Sequence, residues 1–98
     1  MKTLILGAGD LGLGVAKRLQ DFGESVTLIE KSRQAAEMAA ASGIDVIVGD
    51  ALQPEVLKKA GIEDAVHLVA ALSQDEQNLV ACRLAESLFG EAKTRMAR

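Results

Sequence analysis

Hydrophobic residues along this chain fall in short blocks closed by glycines. Residues 3–6 form an apolar run that stops at Gly7, the pattern of a strand buried on both faces that enters a tight turn. Gly12, Val15, Ala16 and Leu19 then recur at helical spacing, with Gly23 as the stop. Residues 25–30 are β-branched and end in an acid, which predicts a second strand. Ser32 is placed to cap an alanine-rich helix that runs to about Ser42 and is closed by Gly43. Residues 44–48 give a third strand, Pro54 sits in the first turn of a helix ending before Gly61, and residues 65–71 give a fourth, buried strand. Asp75 opens a helix reaching Leu88 or Phe89, and residues 93–98 read as the start of a fifth strand.

Strands that alternate with helices at this spacing form βαβ units with right-handed crossovers. The expected fold is α/β, a doubly wound Rossmann-type parallel sheet in a single domain over residues 1–98, cut short at its fifth strand as though taken from a longer protein. The last helix carries a surplus. At 100° per residue Val80, Ala81, Cys82, Leu84, Ala85, Leu88 and Phe89 cover an arc of about 200°, twice the roughly 100° needed to cover one sheet face. An exposed surplus of that kind marks a contact site, and a homodimer is its simplest closed solution.

Composition narrows the function. A net charge of −3 offers no basic field for a phosphate backbone, and an aromatic share of 2% offers no platform for stacking bases, so nucleic acid is not expected as a partner. Cys82 is the single cysteine, which excludes an internal disulfide, and its apolar helical setting reads as a packed thiol. No apolar run approaches the ~18 residues that would cross a bilayer, and Met1-Lys2 leads directly into a strand pattern. A cytoplasmic location is expected.

The chemistry is concentrated in Gly7-Ala8-Gly9-Asp10-Leu11-Gly12, a Gly-x-Gly-x-x-Gly that follows a predicted strand and opens a predicted helix, with Glu30 closing the next strand. Gly7 permits the turn, Gly9 lets the backbone approach a pyrophosphate, and Gly12 lets the helix pack closely on the strands. N–H groups at the helix start, aided by its dipole, would bind the diphosphate. Glu30 would accept hydrogen bonds from the adenosine ribose diol and repel a 2′-phosphate, favouring NAD over NADP; Lys31 beside it would soften that preference. A solvated strand end is the plainer reading of this pair.

Asp50 ends the third strand on the same edge. It would either contact the adenine or orient its loop, or serve only as an Asx-turn residue ahead of Pro54. Ala70 and Ala71 would leave room beside the phosphate loop, or simply pack the core. His67 reads as a core or sheet-face residue without metal partners, Glu63-Asp64 as a turn charge pair, and no nucleophile–base–acid set is visible.

The chain resembles the TrkA N-terminal domain, also called the KTN or RCK nucleotide-binding domain, of potassium transport regulators. The resemblance rests on residues 4–9, on residues 27–31, on Val48-Gly49-Asp50-Ala51 with residues 54–57 and 60–62, on residues 65–71, on Asp75-Glu76-Gln77-Asn78-Leu79 and on residues 95–98. It implies a non-enzymatic regulatory domain that binds NAD or NADH, or alternatively ADP or ATP, at the glycine loop, Glu30-Lys31 and Asp50-Ala51. It also implies assembly into dimers or larger rings, and gating of a membrane potassium-transport subunit at the inner face of the membrane. Some members that respond to ATP or ADP carry an arginine in the glycine loop; Asp10 here leans toward NAD(H). The competing expectation is the cofactor domain of an NAD-dependent dehydrogenase, which uses the same loop.

Overall fold

A computed structural model describes the backbone of residues 2–96 and the side chains of residues 2–89. The chain runs β1 (Lys2–Leu6), α1 (Asp10–Asp21), β2 (Ser25–Glu30), α2 (Arg33–Ala41), β3 (Asp45–Val48), α3 (Pro54–Lys59), a 3₁₀ turn (Ile62–Asp64), β4 (Ala65–Ala70) and α4 (Asp75–Met96). All pairings are parallel and the order is β3-β2-β1-β4. The chain therefore winds outward from β1 in one direction through β2 and β3, then returns to the other side of β1 with β4.

The unbroken apolar run of β1 is explained by its central place. Leu4 and Leu6 pack with Leu57, Ile62, Ala81 and Leu88 on the face covered by α3 and α4. Ile5 points the opposite way and joins Ala16, Val26, Leu28, Ala39 and Ile44 under α1 and α2. Both faces of a parallel strand are buried, as βαβ crossovers require. The small contact residues on the helices, Ala16, Ala39, Ala81 and Ala85, all buried, let them sit close to the sheet. Two threonines inside this apolar frame are satisfied: Thr3 Oγ1 donates to Glu24 Oε2 at 3.2 Å, and Thr27 Oγ1 donates to Asp45 Oδ2 at 3.1 Å.

Two expectations need correction. β4 is an edge strand among the described residues, not a fully buried one, so Val66 and His67 are exposed. His67 is thus a sheet-face residue. The fifth strand is not formed over residues 93–96, which continue α4. Glu, Ala, Lys, Arg and Met are strong helix formers, and a single Gly90 costs about 1 kcal/mol, too little to end a helix without a proline or a cap. Ala97 and Arg98 lie outside the described residues.

The apolar surplus on α4 is real, but it is divided. Ala81, Ala85 and Leu88 at the centre of the arc are buried, leaving Val80 exposed at one end and Phe89 at the other, 53% and 37% accessible. Cys82 and Phe89 line a shallow groove with Val66, His67 and Leu68 of the β4 edge; Val80 stands on the opposite flank. Cys82 is half-buried rather than fully packed.

Candidate nucleotide-binding cleft

The ladders of the sheet run one residue past the strands. Gly7 N donates to Ile29 O at 2.8 Å, Gly49 N to Glu30 O at 2.9 Å and Ala71 N to Leu6 O at 2.8 Å. Four loops are thereby gathered at the carboxyl edge around a cavity of about 660 Å³, within the usual range of roughly 300–1,000 Å³ for small-molecule sites. Its walls include Gly7, Gly9, Asp10, Leu11, Glu30, Lys31, Asp50, Ala51 and Ala71, nine of the positions expected from the sequence.

The glycines divide the work differently from the expectation. Gly7 has φ +103°, and a Cβ there would lie 2.5 Å from the Ala71 carbonyl oxygen, so both the turn and the approach of the β4 loop require glycine. Gly12 lies behind the cleft, buried, and its missing side chain chiefly accommodates the Gly7 carbonyl rather than the strands. Gly9 has φ −72°, open to any residue, and nothing within 4 Å of the place its Cβ would take. That space belongs to the cleft. The lack of a side chain at Gly9 also leaves α1 without a side-chain cap, whereas α2 is capped by Ser32 Oγ, which accepts from Ala35 N at 3.3 Å. The first N–H groups of α1 are thus left for an anion.

Glu30 is half-buried, and its two carboxylate oxygens are held apart by separate backbone donors. Oε1 accepts from Ala8 N at 2.7 Å and Oε2 from Ser32 N at 2.8 Å. Each oxygen keeps a second acceptor site for a hydroxyl, since a carboxylate offers about four. The solvated strand end is therefore set aside: Glu30 ties the glycine loop to the turn that starts α2. Asp50 does form an Asx turn, accepting from Leu52 N through Oδ1 at 2.9 Å, while also lining the cleft. Ala70 is not a cleft residue. It packs against the α3–α4 core, because the strand alternation turns it away from the opening.

The sequence reading missed Ser32, Leu52, Leu72, Ser73 and Gln77 as cleft residues. It also missed a clasp: Leu72 N donates to Asn78 Oδ1 at 2.8 Å and Asn78 Nδ2 donates to Leu72 O at 3.1 Å. The Asp75-x-x-Asn78 spacing held the signal, because it places the amide one turn into α4, over the loop it secures.

The residues present fit a nucleotide: an open glycine at an uncapped helix start, an oriented carboxylate on the neighbouring strand, and a crevice where the winding reverses direction. These features define a Rossmann-type domain. The chain matches the TrkA-N domain over residues 3–98 and belongs to that family. It is 40% identical to the Trk system potassium uptake protein TrkA of Azorhizobium caulinodans over 100 residues, covering 100% of this chain and 21% of that protein. It is 39% identical to a Trk system potassium uptake protein TrkA homolog of Pyrococcus abyssi over 90 residues, covering 90% and 39% respectively. The chain therefore spans only a fifth to two fifths of the relatives it matches. Among solved structures, the TrkA-N domain of the inner membrane protein ybaL from Escherichia coli superposes with a TM-score of 0.81 at 21% identity, over 88% of this chain and 64% of that one. An AMP-bound Kef CTD of Shewanella denitrificans gives 0.77 at 28% identity, over 89% and 52%.

Proposed function

We propose that this domain binds NAD or NADH in preference to NADP, ADP or ATP, and that it is the regulatory part of a potassium uptake system, gating a membrane transport subunit from the cytoplasmic side. The observation that carries the ligand reading is the Glu30 carboxylate, oriented by Ala8 and Ser32 beside an open Gly9. A ribose diol can use its remaining acceptor sites, and a 2′-phosphate would meet its charge. Asp10, in the first turn of α1, adds a negative charge beside the phosphate position and disfavours the more highly charged ADP and ATP. The transport role is supported by family membership and by the names of the TrkA relatives. A homodimer fits the exposed β4 edge and the Phe89 flank of α4.

Calorimetric titration with NAD, NADH, NADP and ATP tests the ligand. The NAD forms should bind most tightly; equal or tighter NADP binding overturns the role of Glu30, and an ATP preference overturns that of Asp10. For the transport role, potassium uptake should respond to NAD(H) with the parent protein and its membrane subunit present, and should cease to respond when the cleft is blocked by Gly9→Val.

A further inference from the structure

Residues 71–74 carry the chain from β4 into α4, with neither a glycine nor a proline to fix their path. Among the described residues the sheet anchors them once, through Ala71 N, which donates to Leu6 O at 2.8 Å. The other anchors all come from Asn78. Its backbone N donates to Gln74 O at 3.1 Å, its Oδ1 accepts from Leu72 N at 2.8 Å, and its Nδ2 donates to Leu72 O at 3.1 Å. The Asn78 side chain is half-buried and is not a wall of the cleft.

Leu72 stands where three parts of the fold meet. Its side chain lines the cleft and packs against the α3–α4 core, and its backbone is held by α4. A Cβ on Gly7 would lie 2.5 Å from Ala71 O and 3.3 Å from Leu72 N, so the 71–72 peptide is seated on the first residue of the glycine loop. Gly7 has φ +103°, and the turn it makes leads to Gly9 and the uncapped start of α1. A shift of the 71–72 peptide therefore alters the loop without any contact between Asn78 and a ligand. The two side-chain bonds open together. Each neutral hydrogen bond shifts an equilibrium by about three- to tenfold, so the pair favours the closed arrangement by about ten- to a hundredfold, a bias that a ligand can change.

We propose that the Asn78 amide is a latch that regulates the cleft: closed, it holds residues 71–72 against Gly7 and keeps the glycine loop in its ligand-binding shape; open, it releases both. The inference rests on the nucleotide reading above. Linkage makes the effect reciprocal, so a nucleotide on the glycine loop closes the latch by the same factor by which the closed latch tightens binding. Occupancy of the cleft is thereby registered at the first turn of α4. Asn78 is a positioning residue, acting through Leu72 and Ala71, and its effect extends to every nucleotide whose phosphate lies at the start of α1, AMP as well as NAD.

The test combines calorimetry with residue-resolved hydrogen exchange on the full chain and on Asn78→Ala, a substitution that favours the helix because alanine is the better helix former. In the wild type the Leu72 amide should exchange by local opening, faster than the core amides of Leu4 and Ile5, and saturating AMP should slow it about tenfold, the size of one to two neutral hydrogen bonds. Asn78→Ala should lose the same factor in affinity for both AMP and NAD, and its Leu72 amide should exchange freely whether or not AMP is bound. Leu72 exchange indifferent to AMP in the wild type overturns the latch, and that measurement needs no variant. Unchanged affinity in Asn78→Ala overturns it too, as does equal slowing of Leu72 exchange by AMP in both proteins, which would mean that the ligand itself shields the amide. In each of these outcomes the wild type still binds nucleotide and only the latch falls, whereas a wild type that binds neither AMP nor NAD overturns the nucleotide reading and the latch with it.

Discussion

Glu30→Gln isolates what the carboxylate does for the fold from what it does for the ligand. In the wild type both oxygens accept from backbone N–H groups, at 2.7 Å from Ala8 and 2.8 Å from Ser32. A carboxamide is nearly the same size but has one acceptor oxygen, so its NH₂ must face one of those two donors. One charge-assisted bond is lost and two donors are set against each other. Bonds to a charged acceptor contribute about 1.5–3 kcal/mol, less where water can replace them, and the Ser32 bond is exposed. The expected loss is about 2 kcal/mol, which for a domain of this size lowers Tm by roughly 8–16 °C. The ligand effect has its own signature. Removing the negative charge removes a repulsion of a 2′-phosphate of about 1–3 kcal/mol after screening, a factor of roughly ten to a hundred. Loss of loop order weakens NAD and NADP alike and cancels in their ratio. Differential scanning calorimetry reads the first effect and paired titrations the second. An unchanged Tm would refute the clasp between the glycine loop and α2; an unchanged NAD to NADP ratio would refute the ribose assignment.

Three further outcomes follow from the same geometry. Gly9→Val projects its side chain into the cleft from an ordinary φ of −72°, with no atom of the fold in its way; nucleotide binding should be lost with Tm moved by under about 4 °C, corresponding to a change within ±0.5 kcal/mol, and unchanged affinity would mean that the ligand sits elsewhere. Asp10→Asn should raise ATP affinity relative to NAD by about three- to tenfold, the effect of removing one like charge near the surface, and an unmoved ratio in paired titrations would place the Asp10 carboxylate away from the phosphates. Sedimentation equilibrium at tens of micromolar should find a dimer that Phe89→Glu dissociates and Val80→Glu leaves intact, because only the Phe89 flank borders the β4 edge; a monomeric wild type, or the reverse response, defeats the assembly.

Periodicity carried the fold because each strand answers to one force. The β1 run is apolar at every position since both faces are covered, and Gly23, Gly43 and Gly61 end their helices with the positive φ that glycine alone adopts easily. Where tertiary context decides, the pattern is silent. Val66 and His67 are β-forming residues whether β4 is central or at an edge, and only its neighbours make it an edge. The strand expected near Lys93 fails for a local reason, the strong helix propensity of the residues from Glu91 to Met96. The glycine loop and Glu30 were legible because their spacing encodes a strand, a turn and a helix in succession. Their partners were not: a carboxylate reaching Ala8 across 22 positions leaves no periodic trace. Asn78 falls between these cases. Its offset of six from Leu72 is short enough to be local, yet an amide that pairs with both polar groups of one backbone residue is distinguishable from a surface asparagine only once the loop's path is known. The same clasp explains why Gln77 comes to a fixed place on the cleft wall: its position is set by the neighbour that holds the loop.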